Sequence, residues 1–205
     1  MNLIILTSPT KKYSDITDAE LCITEYNLLR LDRNCHGGGV LIYCHEKYSM
    51  THLPKLCNSE FETLWVKIKA KNTRPFFVSV TYRSPSVKNP LDYSTRMCNY
   101  LTRSIKSLPL GSEVFCLGDF NVNFLSKCAL TSLLKDFSRS CNLKQLIKSP
   151  TRITETTSSI IDLLFTNSLN ILQSGSIICG LIDRNLIYCI IKYKKTKYEP
   201  NIIKF

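Results

Sequence analysis

The chain has 205 residues, 44% hydrophobic and 21% charged, proportions that indicate a folded domain with its own core and exclude an intrinsically disordered protein. Its 27 Lys and Arg against 16 Asp and Glu give a formal net charge of +11, which favours a polyanionic partner, with nucleic acid first. No apolar run reaches membrane-spanning length and the apolar start lacks the features of a secretory signal, so we expect an intracellular protein, nuclear or cytoplasmic, without a membrane partner.

The ten cysteines contain no CxxC pair, and most of them lie in apolar runs. His36, His45 and His52 have no spaced cysteine pair beside them, which argues against a zinc site. We therefore expect free thiols in a reducing compartment.

The first half of the chain predicts strands. Apolar runs indicate strands at residues 3–6, 26–31 and 40–44. The glycines at 37–39 fit no phosphate-loop spacing, so a hairpin connection is favoured over a phosphate cradle. Residues 63–71 alternate, which predicts a half-buried strand with Lys67, Lys69 and Lys71 on an exposed basic face.

The middle of the chain predicts a hairpin and a helix. A strand at 76–82 pairs with the preceding one through the turn at 72–75. Asn89 is expected to cap a helix with Pro90 at its first position, and Gly111 to end this element. The apolar run 113–117 then predicts a buried strand, which Gly118 ends.

The remaining elements are predicted in one series: a helix at 130–141, short strands at 143–147 and 177–179, a polar Thr-rich loop at 150–158, and strands at 159–165 and 186–191. Together the pattern predicts one layered α/β or α+β domain, 1–205, whose helices cover packed sheets, with 192–205 leaving it as a basic tail.

Carboxylates lie in or at the ends of three of the predicted strands. Asp119 follows Gly118 and precedes Asn121 by two residues, while Asp162 and Asp183 interrupt later apolar runs. Each could be a satisfied strand-end or turn residue. As a group, in a basic protein, they favour a divalent-metal site acting on a phosphodiester, because Mg²⁺ prefers carboxylate and water oxygens.

The ordered motifs Thr81-Tyr82-Arg83-Ser84-Pro85, Gly118-Asp119-Phe120-Asn121 and Ile161-Asp162-Leu163-Leu164-Phe165, followed by Asp183, resemble the endonuclease/exonuclease/phosphatase superfamily. The resemblance covers nearly the whole chain and is closest to the endonuclease domain of non-LTR (LINE-type) retrotransposon polyproteins. It implies a four-layer αββα sandwich of two mostly antiparallel sheets flanked by helices.

The resemblance also implies residue roles. Asp119 and Asn121 would bind the scissile phosphate and position or deprotonate water, and Tyr82 would donate a hydrogen bond to the phosphate. Asp162 would assist the metal or the catalytic histidine, and Asp183 would orient that histidine or bind a second metal. The cations expected to hold nucleic acid are Arg33, Lys67, Lys69, Arg83 and Arg184.

The chain departs from the family pattern in three places. Arg184 stands where the family has its catalytic histidine, and an arginine stays protonated, so it cannot act as a base. Ser8 stands where the family has a metal-binding glutamate. The family's first strand has no counterpart, so we expect a sandwich that lacks it.

Three functions follow as hypotheses. The first is a Mg²⁺- or Mn²⁺-dependent DNA endonuclease, a monomer once fused to a reverse transcriptase, that is weak or inactive in this copy. The second is a non-catalytic nucleic-acid-binding remnant of such a domain. The third, least favoured because of the basic charge, is a phosphatase acting on lipids or inositol phosphates.

Overall fold

A computed structural model of the chain describes residues 3–8, 17–32, 39–178 and 185–192, with only the backbone described for 3–8. In chain order its strands are β1 (Leu3–Ser8), β2 (Tyr26–Asp32), β3 (Gly39–His45), β4 (Ser49–His52), β5 (Thr63–Lys69), β6 (Phe76–Tyr82), β7 (Glu113–Asp119), β8 (Lys144–Gln145), β9 (Arg152–Ile153), β10 (Ser158–Ser159), β11 (Asp162–Thr166), β12 (Ile171–Ile177) and β13 (Leu186–Ile191). Its α-helices are α1 (Pro90–Lys106) and α2 (Ala129–Ser140).

The largest sheet has six strands in the order β4-β5-β6-β7-β11-β8. Its neighbouring strands run antiparallel except β6 and β7, which are parallel. A parallel pair needs a crossover, and α1 lies in the segment that connects these two strands. Consequently β6 and β7 both end at the same edge of the sheet.

The second layer of strands consists of the sheet β1-β3-β2 and the hairpin β12-β13. Strands β1 and β3 contact β6, so their sheet packs on the six-stranded one. The side chains of β6 on the same face as Val78 point into this interface. Strand β13 lines a cavity on that face, so the β12–β13 hairpin lies on the same side of the six-stranded sheet. The result is a sheet-on-sheet sandwich, as the sequence predicts.

The two helices contact each other and cover the outer face of the six-stranded sheet. On that face the indole N–H of Trp65 in β5 donates to the hydroxyl of Tyr100 in α1. The part of the chain that the structure describes thus accounts for three of the four expected layers, α, β and β. Among these described residues no helix is long and apolar enough to cross a membrane.

Several local expectations change. The expected basic face of β5 is limited to its end, because Thr63 and Trp65, on the same face as Lys67 and Lys69, are fully buried under the helix layer. Asn89 adopts a left-handed conformation with φ 49°, and its side chain makes no capping hydrogen bond to α1. Its backbone carbonyl accepts from the N–H of Tyr93 in the first turn.

Other expectations change near the end of the chain. The Thr-rich loop folds into the small hairpin β9-β10. The sequence predicted a short strand at 177–179, but the strand in this region, β12, begins earlier and ends at Ile177. At the start of the expected tail, the backbone N–H of Lys192 donates to the Asn170 carbonyl, so this residue is still attached to the domain. The glycine connection at 37 and 38 and the rest of the tail, 193–205, lie outside the described residues.

The eight cysteines in the described part are all free, as expected. Three of them, Cys44, Cys98 and Cys116, are buried, and burial raises the pKa of the Cys98 and Cys116 thiols to about 12. Cys22 and Cys128 are exposed.

Candidate active site

Three of the predicted residues lie side by side at one end of the six-stranded sheet. In the strand register Tyr82 of β6 is opposite Asp119 of β7, and Asp119 is opposite Asp162 of β11. Residues directly opposite each other share a face, and neighbouring strands are about 4.8 Å apart. Asp119 is fully buried and Asp162 is half-buried. We call this edge of the sheet the carboxylate end.

Asn121 is fixed above Asp119 by two hydrogen bonds. Its backbone N–H donates to Asp119 Oδ1 at 3.0 Å, and its Nδ2 donates to the carbonyl oxygen of Arg83 at 2.9 Å. Its φ of 47° lies in the left-handed region, which asparagine tolerates better than most residues. The amide therefore has a set orientation beside the carboxylate.

Gly118 permits the close approach of β6 to β7 at this end. Its φ is +144°, and a Cβ built on it would lie 1.9 Å from the carbonyl oxygen of Thr81. The glycine lies inside β7 and does not end the strand as the sequence pattern had predicted. It lets Asp119 and Tyr82 come together.

Arg83 is buried and forms hydrogen bonds inside the protein, whereas the sequence predicted that it contacts nucleic acid. Only 2% of the residue is exposed; its Nε donates to Ser94 Oγ at 2.9 Å and one terminal nitrogen donates to the Asn121 carbonyl. Burial lowers the pKa of the guanidinium, and the negative charge of Asp119 opposes that fall. Arg83 links α1 to the loop that carries Asn121.

Thr151 positions the start of β11, a role that its place in a polar, Thr-rich stretch of sequence did not indicate. Its buried hydroxyl accepts hydrogen bonds from the backbone N–H groups of Ile161 and Asp162, at 3.1 and 3.0 Å. Its carbonyl oxygen accepts from the backbone N–H of Asn185. The apparently featureless polar loop thus holds one of the site carboxylates in place.

Glu62 is a further carboxylate near this end that the sequence reasoning missed. Its carbonyl oxygen accepts a hydrogen bond from the Tyr82 backbone N–H at 3.2 Å, and its side-chain Oε2 is buried. The predicted hairpin already indicated where Glu62 lies. The start of β5 pairs with the end of β6, and Glu62 immediately precedes β5.

Cys128, at the far end of the loop that follows Asn121, was also missed. It precedes α2 directly, and its Sγ lies 3.3 Å from the hydroxyls of both Ser126 and Thr131. Hydrogen bonds from these groups lower the pKa of the exposed thiol to about 7.

Two of the predicted nucleic-acid contacts are not at the carboxylate end. Lys67 is opposite Phe77 near the beginning of β6, and Lys69 is beyond it, so both lie at the other edge of the sheet. The described histidines are also elsewhere: His45 ends β3, and His52 is level with the middle of β5. Arg33, Asp183 and Arg184 lie outside the described residues.

The described residues bring together two carboxylates that could hold a magnesium ion. Among them no three His, Cys, Asp or Glu side chains converge in a group that could hold a metal ion. Asp119 and Asp162 do face each other across one strand spacing. Because Mg²⁺ is commonly held by one or two carboxylates with water as its other ligands, this donor pair fits the ion.

Comparison with known proteins gives structural matches only. No family model matches the chain, and no curated protein matches it. The endonuclease domain of TRAS1, a telomere-specific non-LTR retrotransposon, superposes with a TM-score of 0.70 at 13% identity, over 83% of this chain and 81% of that one.

Two further nucleic-acid enzymes share the architecture. An AP endonuclease from Archaeoglobus fulgidus matches with a TM-score of 0.67 at 10% identity, over 92% of this chain and 88% of that one. TDP2 from D. rerio, complexed with single-strand DNA product, matches with a TM-score of 0.61 at 12% identity, over 91% and 84%. The chain therefore has the endonuclease/exonuclease/phosphatase type of fold, as its motifs predicted.

Proposed function

We propose that this domain is a metal-dependent phosphodiester hydrolase of the DNA endonuclease type used in non-LTR retrotransposition, and that catalysis is attenuated in this copy. The observation that carries the proposal is the alignment of Tyr82, Asp119 and Asp162 across three neighbouring strand ends. The fold shared with the TRAS1 endonuclease domain supports it.

In this proposal the chain's own groups bind the phosphate and orient water. Tyr82 and Asn121 donate hydrogen bonds to phosphate oxygens, and Asp119 orients the attacking water and accepts its proton. Asp162 would hold a Mg²⁺ or Mn²⁺ ion, which, when bound, neutralises charge that develops on the phosphate. The water oxygen forms a bond to phosphorus while the bond to the sugar oxygen breaks.

The attenuation follows from two replaced side chains. Arg184 retains a positive charge that can contact a phosphate, but it cannot exchange a proton as the family's histidine would. Ser8 offers a neutral hydroxyl in place of a carboxylate ligand. Loss of a general acid or base alone costs about 10²–10⁴-fold in rate.

The second candidate is a nucleic-acid-binding domain without chemistry. The observation that favours it is that Lys67 and Lys69 form part of a basic surface remote from the carboxylates. Such a domain would bind DNA with the same affinity whether or not Asp119 is intact.

The test is nicking of supercoiled plasmid DNA in Mg²⁺ or Mn²⁺. We expect little nicking by the unmodified chain, a gain of about 10²-fold or more for Arg184→His, and loss of that gain in Arg184→His combined with Asp119→Asn. Asp119→Asn keeps the shape of the buried side chain, so its effect reports on charge and not on packing.

Each outcome decides between the candidates. Metal-dependent nicking that persists in the Asp119→Asn variants would contradict the assigned site. Robust nicking by the unmodified chain would contradict the attenuation. If no variant nicks but all bind DNA, the binding candidate replaces the hydrolase.

A further inference from the structure

A cleft of about 710 Å³ lies at the end of the six-stranded sheet where β6 and β7 begin, opposite the carboxylate end. Phe76 and Glu113 start these two strands and line it. Three basic side chains line it as well: Lys67 from β5, Arg74 from the β5–β6 turn and Lys192 from the end of β13. We propose that this basic cleft binds the phosphate backbone of nucleic acid, as a site separate from the carboxylate end.

The two sites are separated by the full length of the parallel strands. The cleft begins at the Phe76–Glu113 pair, and the carboxylate end lies at the Tyr82–Asp119 pair, six residue steps further along the register. At about 3.3 Å per step the separation is about 20 Å. No single phosphate can therefore contact both, and the cleft has to bind a different part of the polymer.

The cations of the cleft have no carboxylate partner in the described part of the chain. None of Lys67, Arg74 and Lys192 forms an ion pair with a described residue. The carboxylate in the lining, Glu113, instead accepts a hydrogen bond from the side chain of Asn170. The cleft thus keeps an excess of positive charge, which an anion can neutralise.

The backbone holds these cations around one space. Lys192 is anchored because its N–H donates to the Asn170 carbonyl at 2.8 Å. Thr73, beside Arg74, is buried, and its hydroxyl donates to the Ala70 carbonyl, which stabilises the turn. Cations fixed on three separate elements surround a recess rather than a flat patch.

The shape favours a phosphodiester chain over a membrane surface. A lipid headgroup layer is flat and would meet cations on a protruding face, whereas these line a concave cleft. The volume exceeds what one phosphate fills and lies in the range of pockets that hold nucleotide-sized ligands. Lys69 and Lys71, which follow Lys67 in sequence, are exposed and add positive charge to this part of the chain.

The experiment compares oligonucleotide binding by two triple variants with equal loss of charge. The cleft variant is Lys67→Gln, Arg74→Gln and Lys192→Gln. The control variant is Lys55→Gln, Arg103→Gln and Lys135→Gln, three exposed cations on the helix side of the molecule. Fluorescence anisotropy of labelled single-stranded and duplex DNA is measured in EDTA over a range of salt concentrations, so that a bound metal makes no contribution.

We expect the cleft variant to bind about tenfold to hundredfold more weakly than the control variant at low salt. The slope of log affinity against log salt should fall by about 2–3, because each lost phosphate contact removes about one unit. Comparison of the two DNA probes shows which form the cleft prefers. Equal weakening by both triple variants would overturn the proposal, because it would show that only net charge matters.

Two parallel readouts separate this inference from the proposed hydrolase. If Arg184→His nicks plasmid but the cleft variant binds DNA like the control, the cleft assignment fails and the hydrolase stands. If no variant nicks but the cleft variant loses affinity selectively, the cleft stands and the hydrolase fails. Binding to anionic lipid vesicles but to neither DNA probe would identify a membrane surface as the ligand and overturn the proposal.

Discussion

At the scale of single residues, Gly118 shows how strictly the carboxylate end is built. A side chain there would meet the Thr81 carbonyl oxygen at 1.9 Å, and its backbone has φ +144°. We expect Gly118→Ala to lower the free energy of unfolding by about 3–5 kcal/mol, because the two strands must separate to accommodate it. The measurement is urea unfolding followed by circular dichroism.

Gly111→Ala is the matched control for this substitution. Gly111 also has a positive φ, of +77°, but a Cβ on it meets nothing within 4 Å. It should cost only about 1–2 kcal/mol of backbone strain. If both substitutions cost the same, the close approach of β6 and β7 would not be what makes glycine necessary at Gly118.

The sequence predicted candidate site residues, but it did not predict the surroundings of each one. Asp119 and Asp162 were singled out because a carboxylate in or after an apolar strand needs a partner. The sequence predicted that Arg83 contacts nucleic acid, whereas in the structure the residue is buried and donates to the hydroxyl of Ser94 in α1. Burial of this kind depends on tertiary packing, which no local pattern contains.

At the scale of elements, Thr151 connects the β9–β10 hairpin to the start of β11. Thr151→Val keeps the shape of the side chain but removes the acceptor of two backbone N–H groups in a buried place. We expect it to destabilise the protein by about 2–4 kcal/mol, measured by thermal unfolding.

Thr151→Ser provides the comparison, because it retains the hydroxyl. It should cost about 1 kcal/mol or less through the lost methyl group. Equal destabilisation by serine and valine would show that packing, and not the pair of hydrogen bonds, is the role of Thr151.

Elements with strong periodicity were predicted well, and those with weak periodicity were not. Strands β5 to β7 and both helices have continuous apolar patterns because they are covered on at least one face. Strand β12 has the sequence ILQSGSI, and it was missed because its middle is polar and partly exposed. Its pairing with β13 defines it, and that interaction is not local.

At the scale of the whole molecule, Trp65 provides a test of the single-domain prediction. It is the chain's one tryptophan, is fully buried, and lies between the six-stranded sheet and α1. If the sandwich is one cooperative unit, Trp65 fluorescence and far-ultraviolet circular dichroism should give the same urea midpoint and slope. Distinct midpoints would show that the surroundings of Trp65 unfold separately from the rest of the secondary structure.

The sequence predicted the layered α/β fold, but it did not predict where in the sheet the basic side chains of β5 lie. The alternation in residues 63–71 correctly predicted that Lys67 and Lys69 lie on one face of β5. It does not show at which end of the sheet these two lysines lie. That end is fixed by the antiparallel pairing of β5 with β6, which puts the lysines opposite the start of β6. The structure thus separates these lysines from the carboxylates, a distance that the sequence pattern did not predict.

The parallel pairing of β6 with β7 also bears on the order in which this molecule assembles. To pair Tyr82 with Asp119, the chain between them, which includes α1, must close into a loop. The conformational entropy of that chain is lost before contacts between β6 and β7 can compensate the loss. Hairpins such as β2–β3 and β12–β13 join neighbours in sequence and carry no such requirement. We therefore expect the pairing of Tyr82 with Asp119 to form after these hairpins during folding.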